Sequence, residues 1–514
     1  MGVKVLKMNW ILEEIVFLFA LALPTSIECF TEGLQIKLSN IFIGRTSGSN
    51  VALMLSSLFI GQVYIGLIAY PIAEGFGVYV NVLCSQAYGA KQFKQVGFYF
   101  YRALFMSALT YIPVFTILIS IRPIVYLLFQ DWELAEYSGS YTDILCFGYP
   151  AYLYYKIGIR FLQVLNIVWA PVLYLLIGIT VNGIIQYILI FQYNTSMQGV
   201  AAGYVISNYL IALLVFSHIQ LSHVHKTISH EWSIELISDW YHTARYAVIG
   251  IVQYMFGTIP STIIPLIFIG TIAHDQKQLA IYSILFSIWW VCYLTSAGFS
   301  SSITVRIAHL LGANQPKRAR NATIVDLIFV QFTLVMCNII VFVASEPLSY
   351  LFTTDPNFAK ELTWNIRMFS FVLNTDIKLV IQGVINACCK QGIQIIFKFI
   401  FQIILGTIFA GLIVHFVKWK ALGIILQFAI CNLLTFTACF LILACSDWEV
   451  VALFVSKNTK PLSIPEIISS QTPSITSKTT IFFTSTPFVL FKYMITFVLS
   501  FSFLTTVFVL THYL

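Results

Sequence analysis

Charge is scarce in this chain. Asp, Glu, Lys and Arg make up 10% of its 514 residues, against 59% hydrophobic. That is too little polar surface to solvate a globular fold, and it excludes a soluble protein. There is no glycine-rich Walker loop, no His-Glu-x-x-His run and no nucleophile motif. An ATP-driven pump and an enzyme are therefore not expected. The ten cysteines (two of them the adjacent Cys388 and Cys389) lie in or beside apolar runs, none paired in a loop and none at zinc spacing with histidine. They read as small buried hydrophobes, so no disulfide, metal or cofactor is expected. The net charge of +7 is scattered over short loops, which argues against nucleic acid.

What the chain has in abundance is apolar runs long enough to cross a bilayer, roughly 20 residues each. About twelve are expected in the body, near residues 15–43, 51–80, 98–119, 142–163, 169–191, 199–220, 244–270, 279–303, 323–344, 364–386, 394–416 and 421–444. A further one lies at 488–511. The first run follows Lys4 and Lys7, is far longer than a signal core and has no cleavage site. It is expected to be a permanent span. Leu6 stands where myristoylation prefers Ser or Thr.

Basic residues order the loops. Lys91, Lys94 and Arg102 flank the loop after span two, and Arg306, Lys317, Arg318 and Arg320 flank the loop after span eight. Both are expected to be cytoplasmic. Asp131, Glu133, Glu136 and Asp143 mark the loop before span four as external. Of two glycosylation sequons, Asn194 falls outside and Asn321 inside.

The chain also echoes itself. Ser85-Gln-Ala-Tyr-Gly-Ala-Lys91 returns about 223 residues later as Ala308-His-Leu-Leu-Gly-Ala-Asn314. Leu127-Leu-Phe-Gln-Asp131 is answered by Tyr350-Leu-Phe-Thr-Thr-Asp355. An even number of spans separates the copies, so the repeats run parallel about an axis along the membrane normal. The expected fold is an all-α polytopic membrane protein with an N-lobe of six helices at 1–220 and a C-lobe of six at 244–445. A cytoplasmic connector at 221–243, with a short amphipathic helix, joins them. A polar disordered linker at 446–487 and an accessory transmembrane helix at 488–514 follow. Gly89 and Gly312 are expected to permit tight helix ends. Pro260 and Pro265 are expected to hinge span seven.

These stretches resemble the multidrug and toxin extrusion (MATE) family, in particular its animal branch. The likeness is carried by Leu23-Pro24, Ile43-Gly44-Arg45, Gly75-Phe-Gly77 and Leu83 to Ala90 in the first half. In the second half it is carried by Ala297 to Ser300, Val305 to Ala313, Phe352 to Pro356, and Gln382 to Asn386 with Gln391. Together they cover about 440 residues in the right order. The resemblance implies two six-helix lobes in a V that export organic cations or other amphipathic drugs in exchange for H⁺ or Na⁺. It implies a plasma membrane or an acidic organelle membrane. A small-molecule organic cation and the lipid bilayer are the expected partners, and a monomer the expected state.

Coupling to ions needs a group that titrates inside the membrane. The resemblance places it on glutamates of spans seven and eight, but those positions here fall near Gly257–Thr258, Thr262–Ile263 and Ser287. The prokaryotic span-one aspartate position corresponds to Ser39, and an acidic position at the end of span two reads as Asn81. The candidates left are Glu28 and Glu32, one turn apart on span one, with Gln35 and Ser39 on the same face. Two such carboxyls in low dielectric cannot both ionise cheaply, so the pair is read as the proton and cation site; its alternative is neutralisation by Lys37 or another basic group. Asp376, two residues from Lys378 on span ten, is the second candidate, with the two expected to meet different partners. Cleft walls are expected from Gln35, Asn81, Gln253, Phe256, Trp289, Trp290 and Tyr293, whose rings attract organic cations. Two competing readings are a divergent receptor or scaffold that lost ion coupling, and a lipid or oligosaccharide flippase of the same superfamily.

Overall fold

A bilayer core holds no water to satisfy exposed peptide groups, so a spanning segment must close its hydrogen bonds internally. The computed structural model obeys this: its regular elements are helices, with no strand among the described residues. It describes residues 2–46, 51–222, 240–265, 268, 276–352, 355–416 and 420–458.

The N-lobe opens with α1 (Gly2–Gly44). Span two is a bent rod of α2 (Val51–Ile68) and α3 (Tyr70–Tyr79), then a π-helical turn at Val80–Cys84, then α4 (Ser85–Gly89). There follow α5 (Phe93–Ile119), the short α6 (Ile121–Phe129), α7 (Trp132–Val164), α8 (Trp169–Tyr187) and α9 (Met197–Leu221). The C-lobe repeats this order with α10 (Trp240–Pro265), α11 (Gln276–Gly312), α12 (Pro316–Val343) and the short α13 (Ser345–Phe352). Its span ten is α14 (Pro356–Ser370), a 3₁₀ segment at Phe371–Asp376 and α15 (Ile377–Ala387). Then come α16 (Gln391–Lys398), a π-helical stretch at Phe399–Leu405, α17 (Gly406–Phe416) and α18 (Lys420–Ala444).

Eleven of the described helices are long and apolar enough to cross a membrane. The twelfth crossing is α7, a long but more polar helix that carries Glu133, Glu136, Asp143, Lys156 and Arg160. Its polarity is tolerated because most of its membrane-crossing half is buried inside the lobe. The protein is a multi-pass integral membrane protein.

The internal echo has a structural meaning at each copy. Asp131 caps α7 by accepting from the Leu134 amide at 3.1 Å, and Asp355 caps α14 by accepting from the Asn357 amide at 3.0 Å. Lys91 and Asn314, at matched positions, both have positive φ, 61° and 54°. No glycine does. Gly89 and Gly312 are therefore small for a different reason than a left-handed helix end. A β-carbon at Gly89 would overlap the His309 carbonyl, and one at Gly312 would overlap the Gln86 carbonyl. The two repeats cross there, main chain on main chain.

A second matched pair lies deeper. At Gly75 of α3 a β-carbon would stand 2.6 Å from the Ala247 carbonyl oxygen of α10, and at Gly298 of α11 it would stand 2.5 Å from Ser26 Cα of α1. The lobes therefore join along α1 with α11 and α3 with α10. Glu14 of α1 adds a bidentate ion pair to Arg306 of α11, at 2.6 and 2.7 Å.

Four expectations meet a different outcome or fall outside. The start of the 446–487 linker, expected to be disordered, is a helix, α19 (Trp448–Asn458), whose Val451, Ala452 and Val455 are buried in the core that α11 and α12 share. The apolar run Val450 to Val455 puts Val451, Ala452 and Val455 on one helical face, and the Ser- and Thr-rich composition downstream disguised it. The connector helix at 223–239, the rest of the linker and the accessory helix lie outside the described residues. Span seven, expected to 270, is described as helix only to Pro265 and runs unbroken through Pro260.

Candidate functional site

Between the lobes lies a cavity of about 560 Å³. Its lining stops at Asn81 on span two and at Thr304 on span eight, matched positions short of Gly89 and Gly312. The glycine crossings therefore form its floor, at the end of the bundle that carries the basic loops.

The N-lobe wall is built by two helical turns facing each other. Glu28 and Glu32 stand one turn apart on α1, and Lys156 and Arg160 stand one turn apart on α7. Lys156 Nζ lies 2.6 Å from Glu32 Oε2 and 2.9 Å from Glu74 Oε1 of α3. Arg160 reaches the other Glu74 oxygen at 3.6 Å. The Tyr152 hydroxyl donates to Glu32 at 3.3 Å. Glu28, one turn deeper and 1% exposed, accepts from Gln163 Nε2 at 2.6 Å. Three carboxyls thus face two cations.

This cluster is tied to the opposite lobe through one hydroxyl. Ser301 of α11 accepts from Arg160 at 2.9 Å and from Asn81 at 3.0 Å, and donates to Gln163 at 3.1 Å. These three bonds bridge the two lobes beside the charge cluster.

The C-lobe wall is made of amides. Gln253 Nε2 donates to Asn386 at 2.9 Å and to Gln394 at 2.6 Å. Between the walls stand Tyr254, Trp290 and Tyr293, the last two stacked at 5.3 Å.

Of the residues proposed from sequence, Glu32, Asn81, Gln253, Trp290 and Tyr293 line the cavity. Glu28 stands one turn behind it. Gln35 is turned into the N-lobe, donating to Ser207 at 2.7 Å and to Asn208 at 3.2 Å. Phe256 packs on Phe399, with centroids 5.5 Å apart. Trp289 is buried among Trp290, Tyr293 and Phe428. Asp376 is fully buried behind this wall, where Trp289 and Lys378 act on it, and neither carboxylate oxygen makes a hydrogen bond of good geometry among the described residues. Lys378 turns away to Asn432 at 2.5 Å. Of the acidic pair, Glu32 is the one bonded to Lys156, whereas Lys37 stays exposed on the cavity lining.

Glu74, Lys156, Arg160 and Gln163 were not anticipated. The signal was present: Lys156 and Arg160 repeat the one-turn spacing of Glu28 and Glu32, with opposite sign, inside an apolar run.

An all-helical, two-lobed membrane protein with a charged chamber at the lobe interface is the class that this fold and site define. The MatE family model matches residues 24–188 and 251–412. The chain belongs to that family. It is 24% identical over 361 residues to human multidrug and toxin extrusion protein 1, covering 69% of this chain and 61% of that protein. With the Danio rerio protein of the same name it shares 25% over 388 residues, 74% of this chain and 63% of that one. The matched region thus spans about three-fifths of these relatives' length. Among solved structures, the eukaryotic MATE transporter AtDTX14 superposes with a TM-score of 0.81 at 19% identity, covering 88% of this chain and 100% of that one. A MOP superfamily transporter from Pyrococcus furiosus superposes with a TM-score of 0.73 at 15% identity, covering 87% and 96%.

Proposed function

We propose that this chain is a secondary antiporter that exports organic cations or related amphipathic solutes in exchange for protons. The observation that carries the reading is the imbalance in the bonded cluster of the N-lobe wall: Glu28, Glu32 and Glu74 against Lys156 and Arg160. One carboxyl more than the cations bonded within the cluster leaves one position for a proton or for a cationic solute, not both. The site replaces the lobe-two glutamates that the family resemblance implies. Tyr254, Trp290 and Tyr293 supply aromatic faces for the solute's body.

With the basic loops assigned to the cytoplasm, the glycine crossings close the inner side and the chamber faces outward. Protons entering from outside neutralise the carboxyls, weaken the hold on the cation and release it. Return of the proton to the cytoplasm restores the charge that draws in the next solute. A plasma or acidic organelle membrane is the setting, and one chain contains the whole chamber.

The test is flux of a fluorescent organic cation into inside-out vesicles under an imposed pH gradient. Flux should be driven by the gradient and abolished in the Glu28→Gln/Glu32→Gln double variant. Undiminished flux in that variant removes the coupling assignment. Absence of flux in the wild-type protein favours the scaffold reading, which the missing lobe-two acids support.

A further inference from the structure

Asp326 of α12, in the C-lobe, is fully buried, and neither of its carboxylate oxygens makes a hydrogen bond among the described residues. Two charged groups act on it, Glu14 of α1 and Arg306 of α11. These two form the ion pair that ties α1 of the N-lobe to α11 of the C-lobe. Along α11, Arg306 lies between Thr304, where the chamber lining stops, and the Gly312 crossing. The pair is therefore part of the floor.

Two carboxyls from opposite lobes thus address one guanidinium. Arg306 gives Nε and Nη2 to Glu14 and stands over the Phe17 ring, 4.1 Å from its centroid. Its third nitrogen, Nη1, takes no part in the pair. A guanidinium can turn a second edge of its fork to a second carboxylate, yet Asp326 does not take that edge. A buried carboxylate without donors is costly, whereas a neutral carboxylic acid is tolerated.

The other charged groups on the elements around it are exposed or engaged elsewhere. Glu13 of α1, Lys317, Arg318 and Arg320 of α12, and Glu449 and Lys457 of α19 are exposed. So are Glu346 of α13 and Lys360 of α14. His309 of α11 donates to the Val164 carbonyl and rests on the Tyr88 ring. Glu361 and Arg367 of α14 are held by Lys277 and Ser345. Asp376 and Lys378 lie behind the tryptophan wall, where Lys378 is bonded to Asn432.

We propose that Asp326 is a proton-binding site outside the chamber, and that its proton latches the two lobes at the floor. With the proton on Asp326, Arg306 stays with Glu14 and α1 is tied to α11. Transfer of that proton to water on the floor side breaks the O–H bond and leaves a carboxylate. The carboxylate draws Arg306 toward its own lobe and slackens the tie to Glu14. Glu14, Arg306 and Asp326 do not line the chamber, so the latch stands whether or not the chamber carries a cation.

Cys389 of the C-lobe, bonded to Gln86 of the N-lobe, reports the floor. The exposed Cys445 corrects for the pH dependence of thiol chemistry itself. Purified full-length protein in detergent, without solute, is labelled with N-ethylmaleimide and read by mass spectrometry. The Cys389-to-Cys445 ratio should rise about tenfold from mildly acidic to mildly alkaline pH, the effect of one charge-assisted bond. The ratio should stay at its acid level in Asp326→Asn, because an amide cannot become an anion, and the rise should return in Asp326→Glu. Asp326→Leu, equally unable to ionise, decides the matter if the amide variant does not fold. The rise should persist in Glu28→Gln/Glu32→Gln/Glu74→Gln, whose chamber carboxyls cannot titrate. A flat ratio in the wild-type protein, or a rise untouched by the Asp326 variants, overturns the site. A rise lost in the chamber variant also overturns it and leaves the antiporter reading standing. An Asp326-dependent rise in protein that moves no cation supports the latch and removes the antiporter reading instead.

Discussion

Gly89 rests on the main chain of His309 so closely that no β-carbon fits between them, and about 223 residues on Gly312 stands in the same relation to Gln86. Each lobe supplies one glycine and one carbonyl, so the floor of the chamber is a self-complementary contact between repeats. Its glycines serve approach rather than backbone turn, because the positive φ angles fall on Lys91 and Asn314. Where the glycines meet those carbonyls, main chain touches main chain, so an added β-carbon cannot be relieved by a side-chain rotation there.

Gly89→Ala should therefore force the lobes apart at that end and cost about 1–3 kcal/mol, the range for overpacking a tight contact. Cys389, which accepts from Gln86 at 3.2 Å, is a native reporter. Its labelling by a thiol reagent, followed by mass spectrometry, should rise while the thermal midpoint falls. Unchanged labelling and midpoint would remove the floor from the argument.

Glu32→Gln should lower flux of a cationic dye by about tenfold, the effect of losing roughly one charge-assisted interaction. The protein should stay folded, since Lys156 keeps Glu74 at 2.9 Å. Lys156→Met is the harsher change. It leaves Glu32 and Glu74 facing each other with only Arg160 nearby, and breaking a buried pair in this way costs about 3–5 kcal/mol. Melting temperature separates the two outcomes from flux.

The pH dependence has a definite sign. Protonation cancels the carboxylate charge that attracts a cation, so acidifying the outward side should weaken cation binding and alkalinising it should strengthen binding. Equilibrium binding of a rhodamine ester across acidic to mildly alkaline pH checks this. In Glu28→Gln/Glu32→Gln/Glu74→Gln the curve should be flat. A curve with the opposite slope contradicts the proton-for-cation exchange.

Glu14→Gln probes the lobe contact outside the chamber. Glu14 is 3% exposed and holds Arg306 through two bonds, while Asp326, fully buried beside them, has no hydrogen bond among the described residues. Loss of Glu14 should destabilise the protein by about 3 kcal/mol, the low end for a buried pair because Arg306 retains some solvent. Differential scanning fluorimetry reads the change, and flux per folded molecule should fall with it.

Much of the fold was legible. Runs of apolar residues placed the twelve crossings because only a helix closes its own hydrogen bonds in lipid, and the Gly-Ala and Asp131/Asp355 echoes placed the repeats. The site was legible only in part. Glu28 and Glu32 stood out as charges in an apolar run, whereas Lys156 and Arg160, set in an equally apolar stretch of α7, were overlooked. Gln35 shares the face of Glu28 and Glu32 in the helical pattern, yet it meets α9 instead of the chamber. Helical period defines a face, and one face of a long helix contacts several neighbours along its length.

The amino-acid sequence by itself determined that this chain lives in a membrane, that its two halves are copies, and that acids on span one are out of place in lipid. Only the tertiary structure decided that Glu32 would meet Lys156, 124 positions away, and that Gln35 would meet Ser207 instead of the chamber. The physical reason is that lipid is as apolar as most side chains. Hydrophobic pattern therefore tells a helix to enter the membrane but not which neighbour to face. Small residues, buried polar bonds and the crossing of glycines make that choice, and they act across the whole fold at once.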